Sequence, residues 1–98
     1  MPGIARQGDT VSTGHDCDST TIIKDHSSDV FANGIPVARK GDGLEIHTIK
    51  VGDSCVPHSA QINVGSGNVF VNGIPVARKG DSADAGSITG SSGNVFAN

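Results

Sequence analysis

The chain contains very few aromatic residues: among its 98 residues are three Phe and no Trp or Tyr. A chain this short without large aromatic side chains cannot bury a thick hydrophobic core. It has no apolar run near the roughly 20 residues that span a bilayer. Its N-terminus also lacks the basic and apolar segments of a secretory signal. We therefore expect a soluble protein, made in the cytoplasm, whose small core needs a further source of stability.

Positive charge is also scarce. Seven Lys and Arg stand against ten Asp and Glu, which gives a formal net charge of −3. Nucleic-acid binding requires a concentrated positive field and is usually helped by aromatic side chains on which bases stack. The composition therefore gives no support for a nucleic-acid partner.

Two short phrases each occur three times in the chain. One is Val-Phe-Ala-Asn or Val-Phe-Val-Asn, and the other is Ala-Arg followed by Gln or Lys and then Gly-Asp. They lie in residues 4–9, 30–42, 69–81 and 95–98, so the first and last stretches each carry half of a unit. Terminal repeats of an open solenoid usually differ from inner ones, whereas these two half-units complete each other. We expect the ends to meet in a closed, pseudo-threefold body, with residues 1–98 as a single domain.

The spacing of turn-forming residues predicts an all-β fold. Fourteen Gly and four Pro interrupt the chain every few residues, and no stretch is long enough for an amphipathic helix. The segments between them are rich in β-branched residues and about as long as short strands. Asn-Gly followed by Ile-Pro-Val indicates strand, tight turn and strand. We expect a small conical domain of short β-hairpins, in which the three Phe form one equivalent layer.

Three Arg and three Asp occupy equivalent positions in the repeats. They are Arg6, Arg39, Arg78, Asp9, Asp42 and Asp81. Two interpretations follow from their placement: local Arg–Asp contacts at turns, or a charged rim that meets a threefold partner.

Histidine and cysteine residues are concentrated in the two longer inserts between the repeated phrases. Cys55 and His58 are separated by two residues, a spacing common in zinc sites, and zinc accepts both nitrogen and sulfur ligands. The predicted metal ligands are His15, His47, Cys55 and His58, with Cys17 as the first substitute. A Cys17–Cys55 disulfide is the alternative, and it would leave the neighbouring histidines without a role.

The third insert, residues 82–90, carries no His or Cys, so we expect it only to enclose the metal. His26 is interpreted as a solvated loop residue. A site with four protein ligands is closed and structural, and such a zinc ion supplies on the order of 10 kcal/mol in small zinc-dependent peptides. A zinc-dependent hydrolase is the alternative, with Asp16, Asp18 or Asp53 as a base, but Asp is common at turns for local hydrogen bonding. We predict no catalytic residues.

These features together resemble the PAAR-repeat proteins. The resemblance rests on the phrase Asn-Gly-Ile-Pro-Val-Ala-Arg-Lys-Gly-Asp at 33–42 and 72–81, on Gly14-His15 and on Cys55-Val56-Pro57-His58, and it covers essentially the whole chain. It implies a short cone of β-hairpins with one structural zinc ion near the apex. The family's three His and one Cys match the residue types at His15, His47, His58 and Cys55.

The resemblance also implies a function. Members sit on the blunt end of a trimeric β-helical spike, in bacterial type VI secretion systems or contractile phage tails. The expected role is a non-enzymatic, membrane-piercing tip, with one chain for each spike trimer and transient contact with the target membrane. The tip would lie at the end of the assembled spike and be delivered outside the cell, or form part of a virion tail. Any effector cargo is expected to bind separately, as to an adaptor.

Overall fold

The computed structural model describes residues 1–98 and contains only β-strands, turns and connections. The ten strands are two to five residues long. They are β1 (Thr10–Ser12), β2 (Thr20–Ile22), β3 (Phe31–Ala32), β4 (Ile35–Pro36), β5 (His47–Val51), β6 (Ser54–His58), β7 (Phe70–Val71), β8 (Ile74–Pro75), β9 (Ser82–Ala83) and β10 (Gly86–Ile88). The body measures 41 × 24 × 21 Å along its principal axes. No helix suited to crossing a membrane is found. The prediction of an all-β domain of short hairpins is confirmed.

The strands form one four-stranded antiparallel sheet, in the order β2-β1-β10-β9, and three separate hairpins, β3–β4, β5–β6 and β7–β8. The hairpins β3–β4 and β7–β8 have identical registers, with each Phe opposite a Pro. Their turns, Asn33-Gly34 and Asn72-Gly73, have positive φ at both residues, between 56° and 77°. Asn and Gly tolerate that conformation, and its twist matches that of paired strands. The repeated phrase thus determines the hairpin locally.

A ring of backbone hydrogen bonds closes the body. The N–H of Ala5 donates to the carbonyl of Ala77, that of Ala77 to Ala38, and that of Ala38 to Ala5, each at 3.0 Å. Near the termini, the N–H of Ala97 donates to the carbonyl of Pro2 at 3.1 Å. The three repeats therefore surround one axis, and the chain ends meet as the sequence predicts.

The buried apolar side chains form two layers along this axis. The base layer comprises Ile4, Ala32, Val37, Val71, Val76 and Ala97. The middle layer comprises Ala5, Val11, Ile23, Ala38, Leu44, Ile62, Ala77, Ala83 and Ile88. In every repeat a base-layer residue directly precedes a middle-layer alanine, as Val37 precedes Ala38. The hairpins β3–β4 and β7–β8 therefore lie at one end of the axis, which we name the base, and the longer inserts lie at the other, the apex.

The three Phe occupy equivalent positions, but they lie on the surface. Phe31, Phe70 and Phe96 are 55%, 56% and 48% exposed. Successive side chains of a strand point to opposite faces, and the next residue, such as Ala32, is the one that is buried. The three Phe are thus equivalent, as the sequence predicts, but their layer is on the surface: isoleucine, alanine and valine fill the base layer, and the Phe side chains lie outside it.

Each repeated Arg is paired with the Asp three residues later. In the second repeat, the backbone N–H of Arg39 donates to Oδ2 of Asp42 at 2.8 Å, and its guanidinium donates to both carboxylate oxygens at 3.0 and 3.1 Å. The same guanidinium donates to Oδ1 of Asn72 at 3.2 Å, which connects it to the next repeat. The local interpretation of the Arg and Asp residues therefore describes the structure.

Replacing Asp42 with alanine is expected to lower the free energy of unfolding by about 2 to 3 kcal/mol, because a charged acceptor of several hydrogen bonds is lost. The Asp42 side chain is only 10% exposed, so in the variant water could not readily accept the hydrogen bonds that Asp42 accepts. Urea unfolding measures the change. The control is Asp53→Ala, an exposed residue in the β5–β6 turn, which should change stability by less than about 0.5 kcal/mol. Equal losses in the two variants would contradict a structural role for the pair.

Candidate metal centre

Four side chains converge at the apex, and we name them the apical cluster: His15, His47, His58 and Asp84. His47 and His58 face each other where the β5–β6 hairpin opens, since the strand register pairs them directly. His15 lies in the connection after β1, and Asp84 in the turn between β9 and β10, where its φ is 54°. All three inserts therefore contribute to the cluster.

The carboxylate of Asp84 is the centre of the arrangement. Its Oδ1 lies 2.8 Å from Nε2 of His15 and 3.2 Å from Nε2 of His58, while its Oδ2 lies 2.6 Å from Nε2 of His47. One potential ligand atom from each residue lies within 4.8 Å of all the others. The three Nε2 atoms and one carboxylate thus meet in a space of the size that a single ion would occupy.

The cluster is partly shielded from water. The side chains of His47 and Asp84 are 3% and 7% exposed, whereas those of His15 and His58 are 23% and 30% exposed. The ring centroids of the three histidines are 5.1 to 6.1 Å apart. The site therefore has a buried side, formed by His47 and Asp84, and a side that ions in solution can reach.

One histidine is oriented by a second contact. Nδ1 of His47 lies 2.9 Å from the carbonyl of Glu45. A carbonyl only accepts hydrogen bonds, so the Nδ1–H of His47 donates to Glu45, and the ring presents Nε2 to Asp84. Metal-binding histidines commonly make this contact, because it fixes the tautomer and the ring orientation.

Burial of the Asp84 carboxylate raises its pKa, but the hydrogen bonds with His15, His47 and His58 outweigh this effect. The pKa of Asp84 consequently lies below its ordinary value of 3.8. The carboxylate is ionised at neutral pH, which is the state that binds a cation.

A family model described as PAAR motif matches residues 19–89, which is more than half of the chain. The chain belongs to the PAAR-motif family. This family is associated with spike tips and is structural rather than enzymatic. The comparison with curated proteins finds no match.

The four residues that converge in this PAAR-motif protein differ from the predicted ligands at one position. Cys55 forms a disulfide with Cys17, so its sulfur is not a free thiolate, and Asp84 faces the three histidines instead. The strand geometry explains the difference. Cys55 and His58 lie on one strand at an odd spacing, so their side chains point to opposite faces. Two intervening residues bring a thiol and an imidazole together in a turn, but in a strand they place the two side chains on opposite faces. Cys17 cannot substitute as a ligand either, because its sulfur is bonded to Cys55.

The third insert of the PAAR-motif protein contributes a side chain to the apical cluster, which the sequence analysis does not predict. It does not only enclose the cluster, because its Asp84 contacts all three histidines. Asp84 is the only titratable residue in 82–90, and this isolation is the signal that sequence reasoning missed. His26 lies outside the cluster, as expected, but it is partly buried and its Nδ1 lies 2.6 Å from the carbonyl of Ser27.

The residues of the apical cluster suit a structural metal ion. Three imidazole nitrogens and one carboxylate oxygen give four ligands, the number typical of closed zinc sites. Nitrogen and oxygen ligands without a thiolate also bind other divalent first-row transition metals. The cluster is therefore a candidate metal centre with nitrogen and oxygen ligands.

Proposed function

We propose that this chain is the structural tip of a trimeric β-helical spike, in a bacterial type VI secretion system or a contractile phage tail. Family membership supports the role at a spike tip. The observation that carries the proposal is the closed ring of three repeats, because one chain presents three nearly identical surfaces around one axis. A trimer presents three identical surfaces in the same way, so a single chain matches it.

The base is the surface that meets the spike in this proposal. Phe31, Phe70 and Phe96 are each about half exposed, and they occupy the same position in the three repeats. Large aromatic side chains are frequent anchors at protein interfaces because they bury much area with little loss of conformational freedom. Three such anchors at threefold spacing would each contact one chain of a trimer.

The apex is the leading point, and its resistance to force depends on cross-links more than on core packing. In the β5–β6 hairpin only His47 is buried. We propose that zinc binds at the apical cluster, held by His15, His47, His58 and Asp84. When bound, the ion supplies a structural cross-link among the three inserts. The protein residues already bring the ligands together, and the Asp84 carboxylate compensates the charge of the cation.

The proposal also assigns a place to the chain. It is made in the bacterial cytoplasm, assembles on the blunt end of the spike and leaves the cell with it, or becomes part of a virion tail. Contact with the target membrane is brief, and any effector cargo binds without a covalent connection.

Stoichiometry tests the proposed role directly. The chain is mixed with the trimeric spike protein encoded nearest to it, and the complex is measured by light scattering after gel filtration. The expected result is one chain for every three spike chains. Three chains on each trimer, or no complex with any spike trimer of the same genome, would contradict the pseudo-threefold cap.

A further inference from the structure

A disulfide joins the first insert to the β5–β6 hairpin. It connects Cys17 and Cys55, whose Cα atoms are 5.9 Å apart. Cys55 is exposed and Cys17 is partly buried. Small thiols and disulfides in solution can therefore reach the bond.

Each cysteine of the disulfide is close in sequence to a histidine of the apical cluster. His15 is two residues before Cys17, and His58 is three residues after Cys55. His47 is on the same hairpin as His58 and pairs with it directly. The bond thus joins the two segments that carry all three histidines of the cluster.

Other hydrogen bonds also join the two segments. Just before the hairpin, the hydroxyl of Thr21 donates to the carbonyl of Glu45 at 3.1 Å, and the N–H of Glu45 donates to the carbonyl of Ile22 at 2.9 Å. Between the first insert and the hairpin, the carboxylate of Asp18 accepts hydrogen bonds at 2.7 Å from the backbone N–H and the hydroxyl of Thr48. The N–H of Asp18 donates to the carbonyl of Thr48 at 3.1 Å. Asp18 is exposed, so water competes for these hydrogen bonds. Without the disulfide, the position of His15 relative to His47 and His58 depends on these hydrogen bonds, on those that Thr13 makes with His15 and Ala85, and on the cluster itself.

We infer that the Cys17–Cys55 disulfide is a redox switch that sets the metal affinity of the apical cluster. The inference rests on the proposed metal binding. In the oxidised chain His15 is held near the hairpin before the ion arrives, so less conformational entropy is lost on binding. In the reduced chain the two segments separate more freely, and binding must order them.

The chemical step needs only a disulfide oxidant such as glutathione disulfide. The thiolate of one cysteine attacks the oxidant and forms a mixed disulfide, releasing one glutathione thiol. The thiolate of the second cysteine then displaces the other glutathione, which forms the Cys17–Cys55 bond. The chain loses two electrons and two protons, and glutathione disulfide is reduced to two thiols.

The coupling acts in both directions. If the disulfide raises zinc affinity by some factor, bound zinc must favour the disulfide over the two thiols by the same factor. A glutathione-buffered cytosol keeps exposed cysteines reduced, whereas compartments outside it favour disulfides. The switch is therefore off where the chain is made and on where the proposed spike delivers it.

Zinc affinity in the two redox states tests the switch. Zinc is titrated against a competing chelator into the oxidised chain and into the double variant Cys17→Ser/Cys55→Ser, which has no thiol that could itself bind zinc. Coupling between sites is typically about 5- to 150-fold, and we expect the oxidised chain to bind at least about 10-fold more tightly. Hydrogen exchange should show faster exchange of the β5–β6 amides in the variant, with the amides of the Ala5–Ala38–Ala77 ring still protected.

A second arm uses the wild-type chain reduced by a phosphine. Its affinity should match that of the double variant, and zinc should shift its glutathione redox midpoint toward the disulfide by the measured affinity factor. Tighter binding by the reduced chain than by the double variant would show a thiolate ligand and overturn the switch. Equal one-to-one binding by the oxidised chain and the variant would also overturn it, while leaving the metal centre in place. No binding by any form would remove both the metal centre and the switch.

Discussion

Replacing His47 with alanine should abolish one-to-one zinc binding and lower the melting temperature of the zinc-loaded protein. His47 is the most deeply buried histidine of the apical cluster, with a side chain 3% exposed, and its Nε2 is oriented by the Glu45 carbonyl. Loss of a residue that only supports a ligand weakens metal binding by about 10- to 100-fold, so loss of a ligand should exceed this. Zinc content after gel filtration and calorimetric melting measure the two effects.

The matched control is His26→Ala, which removes a partly buried histidine outside the cluster. It should retain one zinc ion for each chain. The stabilisation depends on binding to the folded state, so chelator treatment should lower the melting temperature of wild type and of His26→Ala but not that of His47→Ala. A wild-type melting temperature that is the same with and without chelator would exclude a structural role for zinc.

Replacing Phe31, Phe70 and Phe96 together with serine should weaken binding to the spike trimer by at least about 100-fold. Buried aromatic anchors at interfaces commonly contribute 2 kcal/mol or more each, and ~2.7 kcal/mol already corresponds to 100-fold. The three side chains are 48% to 56% exposed in the isolated chain, so their loss should lower its stability much less than its affinity. Calorimetric titration with the spike trimer gives the affinity, and urea unfolding gives the stability.

Exposed apolar residues away from the base provide the control. Ile46 and Val51 are 67% and 55% exposed, and they belong to the second insert at the apex. The double variant Ile46→Ser/Val51→Ser should bind the spike trimer with wild-type affinity. An equal loss of affinity in this variant and in the Phe variant would mean that docking does not use the base.

The hairpins and the closure of the ring could be predicted because their causes are local or repeated. Asn-Gly at 33–34 and 72–73 determines tight turns through the conformational preferences of two residues. The half-units at the two ends indicate closure because each lacks what the other supplies. The sequence also predicts that His15, His47 and His58 lie near one another, and the structure brings them together. They belong to the two longer inserts, and the repeats on either side fix the ends of each insert.

The fourth member of the cluster depends on geometry that the sequence does not display. Whether Cys55 and His58 share a face depends on whether their segment is a strand or a turn, and only the strand register decides this. Asp84 meets the histidines through contacts across 26 to 69 residues of sequence. Such distant convergence has no local signal. The exposure of the Phe residues likewise depends on which of two alternating positions faces the axis.

The ring of three repeats has equal registers in two of its hairpins, while the apex is unique because only the second insert carries the β5–β6 hairpin. A cap with this shape has three equivalent ways to sit on a trimer, related by rotations of one third of a turn. Because the chains of a trimer are identical, these three placements on the proposed partner have the same free energy, and a population of spikes should contain all three in equal numbers. Electron-microscopy maps averaged with threefold symmetry should therefore show a sharp base and a blurred apical hairpin. Classification of particles without imposed symmetry should recover the hairpin in three orientations.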